Sequence, residues 1–353
     1  MRKAFRIILR ILLCLVMIAA AFILLLTAAE YRPADTETLP VSGASSQTLR
    51  AGETLKIVTW NTGYGALGDN ADFFMDGGKG VTTADKERVL ANTGEMAGFL
   101  ADENPDLVLL QEVDVSSKRS HYVNETQLYR EAFPEYLSVF AYNYRALYVP
   151  YPLPTIGKVE SGLQTLSRFR ISGAERIALP CPFKWPVSTV NLKRGLLVTR
   201  IPVSESDAEL VLVNLHLEAY DSGEGKAEQT RVLSEFLLEE YRKGNYVIAG
   251  GDFNQVFSNT DVSAYPVFEN HWQPGLIDAS GFDAAFTLVM DPHVPTCRSL
   301  DQPYAGADKE NFQFYVIDGF IISDNMTIEG YDTISLDFIA SDHNPVRLSV
   351  SLQ

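Results

Sequence analysis

Three cysteines in 353 residues are too few for a disulfide framework, and none stands at the close spacing of a zinc site. Cys14 falls in an apolar segment, which leaves Cys181 and Cys297 as a pairing that an oxidising compartment would permit. Basic residues are also scarce, with 29 Lys and Arg against 45 Asp and Glu, a net charge of −16. Four of the bases and one acid precede residue 31, which leaves 25 against 44, or −19, for the rest. Such a surface repels polyanions at long range, so DNA or RNA is disfavoured as substrate and would need a local basic patch. No low-complexity tract or repeat follows the first fifty residues, which excludes solenoids and arrays. With 46% hydrophobic and 11% aromatic residues, the chain has enough apolar surface for a large core, and bulk disorder is excluded.

What is present begins with one long apolar run. Ile11 to Ala29 carries no charge, and Arg2, Lys3, Arg6 and Arg10 precede it. About 20 apolar residues cross a bilayer core as a helix. The basic flank predicts an N-terminus in the cytoplasm and the remainder outside, as a single-pass protein of the cell membrane. The alternative is a cleaved signal peptide with a secreted product, for which Thr27, Ala28 and Ala29 are small enough. Residues 1–30 are therefore an anchor or signal. Residues 31–53 are polar and small, with no clean period, and read as a linker holding the domain a short distance off the membrane. Residues 54–353 form the main domain.

Within that domain the hydrophobic period switches between strand and helix types. Strands are predicted over 55–60, 106–110, 162–167, 195–199, 209–217, 246–249, 313–323 and 345–352. Helices are predicted over 84–103 and 226–242, the second ended by Gly244. The Gly-rich segment 63–80 is a long loop. Short strands mixed with a few helices indicate α/β layers around a sheet core.

Polar residues interrupt these apolar strands at their ends. Asn61 follows Trp60, and Gln111 and Glu112 follow the run 107–110. His216 lies near the end of 209–217, while Asp252 and Asn254 follow 246–251. Asp318 interrupts 315–322, and Ser341-Asp342-His343-Asn344 precedes the last strand. Any one of these is an ordinary turn, bulge or core residue. Together they collect hard oxygen ligands and two imidazoles, which suit Mg²⁺ or Mn²⁺ and phosphoester hydrolysis. Asp252 and Asn254, two apart, share a face of an extended chain.

The ordered set Ile57–Asn61, Pro105–Glu112, Gly162–Arg168, Val213–His216, Gly250–Asn254, Ile317–Asp318 and Ser341–His343 resembles the endonuclease/exonuclease/phosphatase superfamily, which includes deoxyribonuclease I and bacterial neutral sphingomyelinases. The resemblance spans nearly all of 55–353. It implies a four-layer α/β sandwich, two packed sheets flanked by helices, behind the N-terminal transmembrane helix. It also implies roles. Glu112 would be the main metal ligand, with Asn61 and Asp342 beside it. Asp252 and Asn254 would position the attacking water and the scissile phosphate. His343, supported by Asp318, and His216 would form the acid/base and phosphate-binding pair, with Glu160 as a carboxylate supporting His216. Some members carry an acid two places after the asparagine, where this chain has Gly63, which argues against an ancillary metal site. Segments 63–80 and 142–160 have no counterpart in the pattern. Arg145, Lys158 and Lys79 in them read first as solvated surface and second as phosphate contacts, and Phe183, Trp185 and Pro186 read first as core packing and second as an apolar lip near a membrane.

The expected activity is hydrolysis of a lipid headgroup or other small phosphoester by a monomer. An exported nuclease and a non-catalytic binding module of the same fold are the alternatives.

Overall fold

A computed structural model describes residues 2–221 and 223–353. Two seven-stranded mixed sheets stack face to face. The first has the order Thr36–Thr38, Gly173–Ala178, Gly195–Pro202, Glu209–His216, Tyr246–Asp252, Asp318–Ser323, Phe286–Val289. The second runs Met326–Thr333, Val346–Leu352, Thr54–Asn61, Leu107–Asp114, Gly157–Ser167, Leu137–Val149, Val41–Ser42. Each sheet holds one parallel pair near its centre, Glu209–His216 with Tyr246–Asp252 and Thr54–Asn61 with Leu107–Asp114.

Alternation along the strands builds the layers. Leu55, Ile57, Leu107 and Leu109 face Leu210, Leu212, Ile248 and Phe320 between the sheets. Their neighbours Val58, Trp60, Val108 and Leu110 point the other way, onto Met96, Leu100, Tyr129 and Phe133. On the opposite outer face, Val211, Val213, Val247 and Ala249 meet Leu233 and Leu237. The result is helix, sheet, sheet, helix, with every central strand buried on both sides. That burial is why 106–110 and 246–249 read as unbroken apolar runs.

The two long helices are close to the predicted ones. Lys86–Glu103 begins after Asp85, whose carboxylate accepts from the Arg88 N–H at 2.8 Å, and ends at Asn104 with φ +48°. Glu224–Arg242 ends before Gly244 at φ +87°. A third helix, Glu125–Ala132, and the long strand Met326–Thr333 are additions.

Segment 31–53 differs from the expected linker. Thr36–Thr38 pairs with Gly173–Ala178 on one sheet, Val41–Ser42 pairs with Leu137–Val149 on the other, and Leu49 is fully buried. It laces the two sheet edges together, so no free spacer separates helix from domain. The apolar helix Arg2–Ala28 packs its last turn directly on the domain: Leu26 is buried with Ala146, Val149, Val159 and Val190. The Trp185 indole donates to Thr27 Oγ1 at 3.0 Å, and Lys193 pairs with Glu30 at 2.9 Å. The unmatched segment 142–160 is the distal half of an antiparallel hairpin, Leu137–Val149 with Gly157–Ser167. Cys181 and Cys297 are both free.

Candidate active site

The strand ends converge because of register. His216 and Asp252 are direct partners across the parallel pair, and Asp252 is the direct partner of Asp318 on its other side. Three candidate side chains thus stand abreast on adjacent strands of one sheet. On the other sheet, Asn61 is paired with Gln111, one residue before Glu112. A buried amide network holds the two sheets in this alignment: Gln111 donates to Asn214 Oδ1 at 2.8 Å, and Asn214 donates to the Leu110 and Gln164 carbonyls. Asp342 and His343 descend from the loop before the last strand, fixed by Ser341, which donates to the Asn61 carbonyl at 2.8 Å.

Two glycines are required by close approach. Gly251 has φ +148°, and a Cβ there would collide with the Leu215 carbonyl. Gly63 has φ +51°, and a Cβ there would stand 2.8 Å from Asp342 Oδ1 and 2.9 Å from Leu67 Cβ. A second acid at 63 therefore has no room on this backbone. Glu112 has φ +55° at a bulge where the pairing with Gly157–Ser167 slips between Leu110 and Val113. The bulge re-aims its carboxylate into the cavity.

Asp252 Oδ2 is the hub. It accepts from Asn61 Nδ2 at 3.0 Å and lies 3.3 Å from His216 Nε2 and 3.9 Å from His343 Nε2. His343 Nδ1 is 2.8 Å from Asp318 Oδ2. The two imidazoles are pushed in opposite directions. Burial, then the charge of Arg194, lowers the pKa of His216 below its usual value. Burial works against charge on His343 as well, but the Asp318 carboxylate overcomes it and raises its pKa well above the usual value. Asp252 is raised to about 7, first by burial and then by Asp318. Titratable groups pushed apart in this way are candidates for acid and base roles.

Glu112 and Asp342 form the other half. Asn61 Nδ2 reaches Glu112 at 3.4 Å, and Arg119 stands 4.0 Å away. Among the described residues no other base lies within salt-bridge distance of either carboxylate. Asp342 is raised to about 6 by burial, with Glu112 adding repulsion. Two carboxylates and an amide, short of cationic partners, fit a hard divalent ion. Asp252, Asp318 and His343 also bring ligand atoms within 4.8 Å of one another, as do Cys297, Asp342 and His343. The first of these groups is already closed by the Asp318–His343 hydrogen bond. The second would require a thiolate from Cys297, whose pKa burial pushes up to about 12. Glu112, Asp342 and Asn61 are the better set.

A cavity of about 400 Å³ opens above these groups. Asn61, Glu112, His216, Asp252, Asn254, Asp342 and His343 all line it. Asp318 sits behind His343. Asn254 donates its amide to the Leu217 carbonyl at 3.0 Å, which leaves an acceptor oxygen suited to a water proton rather than to a phosphoryl oxygen. Glu160 is placed elsewhere: it pairs with Lys158 at 2.9 Å and Arg145 at 3.7 Å, with no contact to His216. The pairing with Leu137–Val149 slips between Tyr142 and Tyr144, opposite Gly162 and Ser161, and these two residues, not Glu160, line the cavity. Arg145 and Lys158 are thereby spent on Glu160, and Lys79 stays at the surface.

Several lining residues had no signal in the sequence. Arg119 stacks 3.6 Å over the Tyr64 ring and grips Asp114 with two hydrogen bonds. Arg194 donates to the His216 carbonyl at 3.1 Å and to Glu218 at 3.4 Å. Both arginines lie outside any apolar period. The loop 63–80 supplies Leu67, Phe73, Met75 and Asp76 to the cavity, and Arg298 anchors it through the Gly68 carbonyl at 2.7 Å.

The family model for the endonuclease/exonuclease/phosphatase family matches residues 58–343. No curated protein matches the chain. Among solved structures, an endonuclease/exonuclease/phosphatase from Beutenbergia cavernae is 19% identical, with TM-score 0.55 over 85% of this chain and 72% of that one. The catalytic domain of human Nocturnin, with a bound sulfate anion, is 14% identical, with TM-score 0.54 over 89% and 97%. D. rerio TDP2, complexed with a single-strand DNA product, is 17% identical, with TM-score 0.53 over 85% and 99%. At these identities the likeness to each structure is one of fold.

Proposed function

Because the chain belongs to the endonuclease/exonuclease/phosphatase family, whose members are hydrolases acting on phosphoesters, we propose that it is a metal-dependent phosphoesterase working outside the cytoplasm. The observation that carries this reading is the hub at Asp252, flanked by two histidines whose pKa values are pushed in opposite directions and facing the Glu112–Asp342 pair.

Glu112, Asp342 and Asn61 would hold Mg²⁺ or Mn²⁺, which would supply charge neutralisation at the phosphoryl oxygens. Asp252 orients a water and takes its proton, with Asn254 fixing the other hydrogen. His343, kept protonated by Asp318, places positive charge against the phosphoryl group. His216, neutral and held beside Asp252, accepts or returns a proton. The substrate is a lipid headgroup or another small phosphoester. The exported location follows from the basic residues before the apolar helix.

A nuclease is the second reading, favoured by the neighbour that holds single-strand DNA. The net charge of −16 weighs against it, as does the pairing of Arg119 with Asp114 and of Arg194 with Glu218.

The test uses full-length protein in detergent against bis-nitrophenyl phosphate, nitrophenyl phosphate, phospholipid and single-stranded DNA. Glu112→Gln keeps the shape of the side chain and removes its charge. Turnover should fall at least ~10²-fold, the usual worth of a positioned electrostatic group, and need more Mg²⁺ or Mn²⁺. Chelator should abolish wild-type activity without unfolding the domain. Full activity in excess chelator would refute the metal role, and turnover of DNA alone would move the reading to the nuclease.

A further inference from the structure

The apolar helix packs its last turns on the same end of the domain as part of the cavity wall. Phe22 stacks edge-on against Tyr148 with ring centroids 6.2 Å apart. Phe22 precedes Ala28, the last helical residue, by six positions, which is about 9 Å along the axis. If the helix spans, the tip of the hairpin 147–154 reaches below the helix end, into the depth of the lipid interface. The side chains there suit that depth. Leu147, Tyr148, Tyr151 and Leu153 are exposed, Leu153 at 88%, and Trp185 and Val187 beside them are exposed too. An exposed apolar patch of this kind marks an interaction site, and Trp and Tyr favour the interface itself. The charges around it fit as well. In a strongly acidic domain, this end carries Lys118 and Lys184, while the nearby Glu30 is paired with Arg32 and Lys193 and Glu160 with Lys158.

The same elements form the cavity wall. Tyr144 and Ile156 pack against the cluster that buries Leu26, and both line the cavity. Tyr151 and Val187 are exposed and also line it, as do Met75 and Tyr220, so this lip forms one side of its mouth. From the mouth inward the wall runs from Phe183, Val187 and Leu192 to Glu112 and His343.

We propose that the lip formed by 147–154 and 183–187 is immersed in the outer leaflet beside the helix, and that the cavity draws in an amphiphilic phosphoester from that leaflet. Its apolar part lies against the Phe183–Val187 side and its phosphate reaches the carboxylates. This rests on the phosphoesterase reading for its chemistry and on the spanning helix for its geometry.

The experiment separates these. Full-length protein is reconstituted in vesicles of phosphatidylcholine and phosphatidylglycerol, with and without brominated acyl chains. Brominated lipid should quench a fluorescence component that the Trp185→Phe variant lacks, since Trp60 is enclosed in the core and Trp272 is held inside the cavity by Tyr315 and the Ala219 carbonyl. The variant Leu147→Asp/Leu153→Asp changes two exposed side chains that do not line the cavity. Phosphorus release from vesicle lipid should fall at least about tenfold, because withdrawing even one buried leucine from lipid is worth about a decade. Hydrolysis of bis-nitrophenyl phosphate in the same vesicles should be unchanged. An unquenched Trp185 in protein that resists carbonate extraction would overturn the docking, and would leave the patch to a second copy or another protein. Equal loss on both esters, or turnover of the soluble ester with no release from any vesicle lipid, would overturn the lipid substrate. If neither ester is turned over, the phosphoesterase reading fails and quenching alone decides the docking.

Discussion

Asp318→Asn isolates the charge in the site from its shape. Asp318 Oδ2 and His343 Nδ1 are 2.8 Å apart and both side chains are buried. The asparagine oxygen still accepts from the Nδ1 hydrogen, so ring position and tautomer are kept while the charge is removed. Unit charges about 4 Å apart, at an effective dielectric of about 20, attract by roughly 4 kcal/mol. If the imidazolium charge acts as the phosphoryl group crosses its transition state, the loss is roughly three decades in rate. A second effect has its own sign. After burial, Asp318 is the main reason Asp252 sits at about 7. Removing it favours ionised Asp252, so the rising limb of the pH–rate profile should move to lower pH while the maximum falls. The assay is hydrolysis of bis-nitrophenyl phosphate by full-length protein across the range from about pH 5 to 9, which brackets an acid and a base of this kind, with Tm measured alongside. Turnover near wild type at the variant's own optimum, with Tm unchanged, would refute a catalytic role for the pair. A fall in Tm with full turnover per folded molecule would make the pair structural.

His216→Ala and His343→Ala should each lose roughly 10²–10⁴-fold in rate, and the double variant far less than the product of the two, because residues acting as a unit are not additive. His121→Ala is the control: its Nε2 meets the Ala84 carbonyl at 2.8 Å, outside the cavity, and turnover should not change. Away from the site, burial alone would raise Glu240, but hydrogen bonds from Arg200, Lys243 and Asn245 hold it down to about 2, below its ordinary 4.5. A depressed carboxylate stabilises the fold above its unfolded pKa and ceases to as pH falls through its folded one. Denaturant titrations should therefore show a loss between about pH 4.5 and 2 that Glu240→Gln lacks.

The sequence by itself determined the parts of this protein that depend on local pattern. Period and punctuation placed the central strands and both long helices. Runs such as Leu107–Leu110 are legible because a strand buried on two faces has no polar side to hide the signal. Asn61, Glu112, His216, Asp252, Asp318 and Asp342-His343 stand out for the same reason, as polar residues at the ends of apolar runs. Only the tertiary structure decided what contact over long separation controls. Strand register put His216, Asp252 and Asp318 abreast, and a slip in pairing beside Ser161 and Gly162 left Glu160 with Lys158 and Arg145. Arg119 and Arg194 entered the site from segments with no period, because a buried guanidinium is held by its partners and not by its neighbours in sequence. Segment 31–53 looked free because edge strands pair through backbone groups, which carry no side-chain signature. The descent of the hairpin tip beside Phe22 depends on residues more than a hundred positions apart, a distance that no local pattern spans.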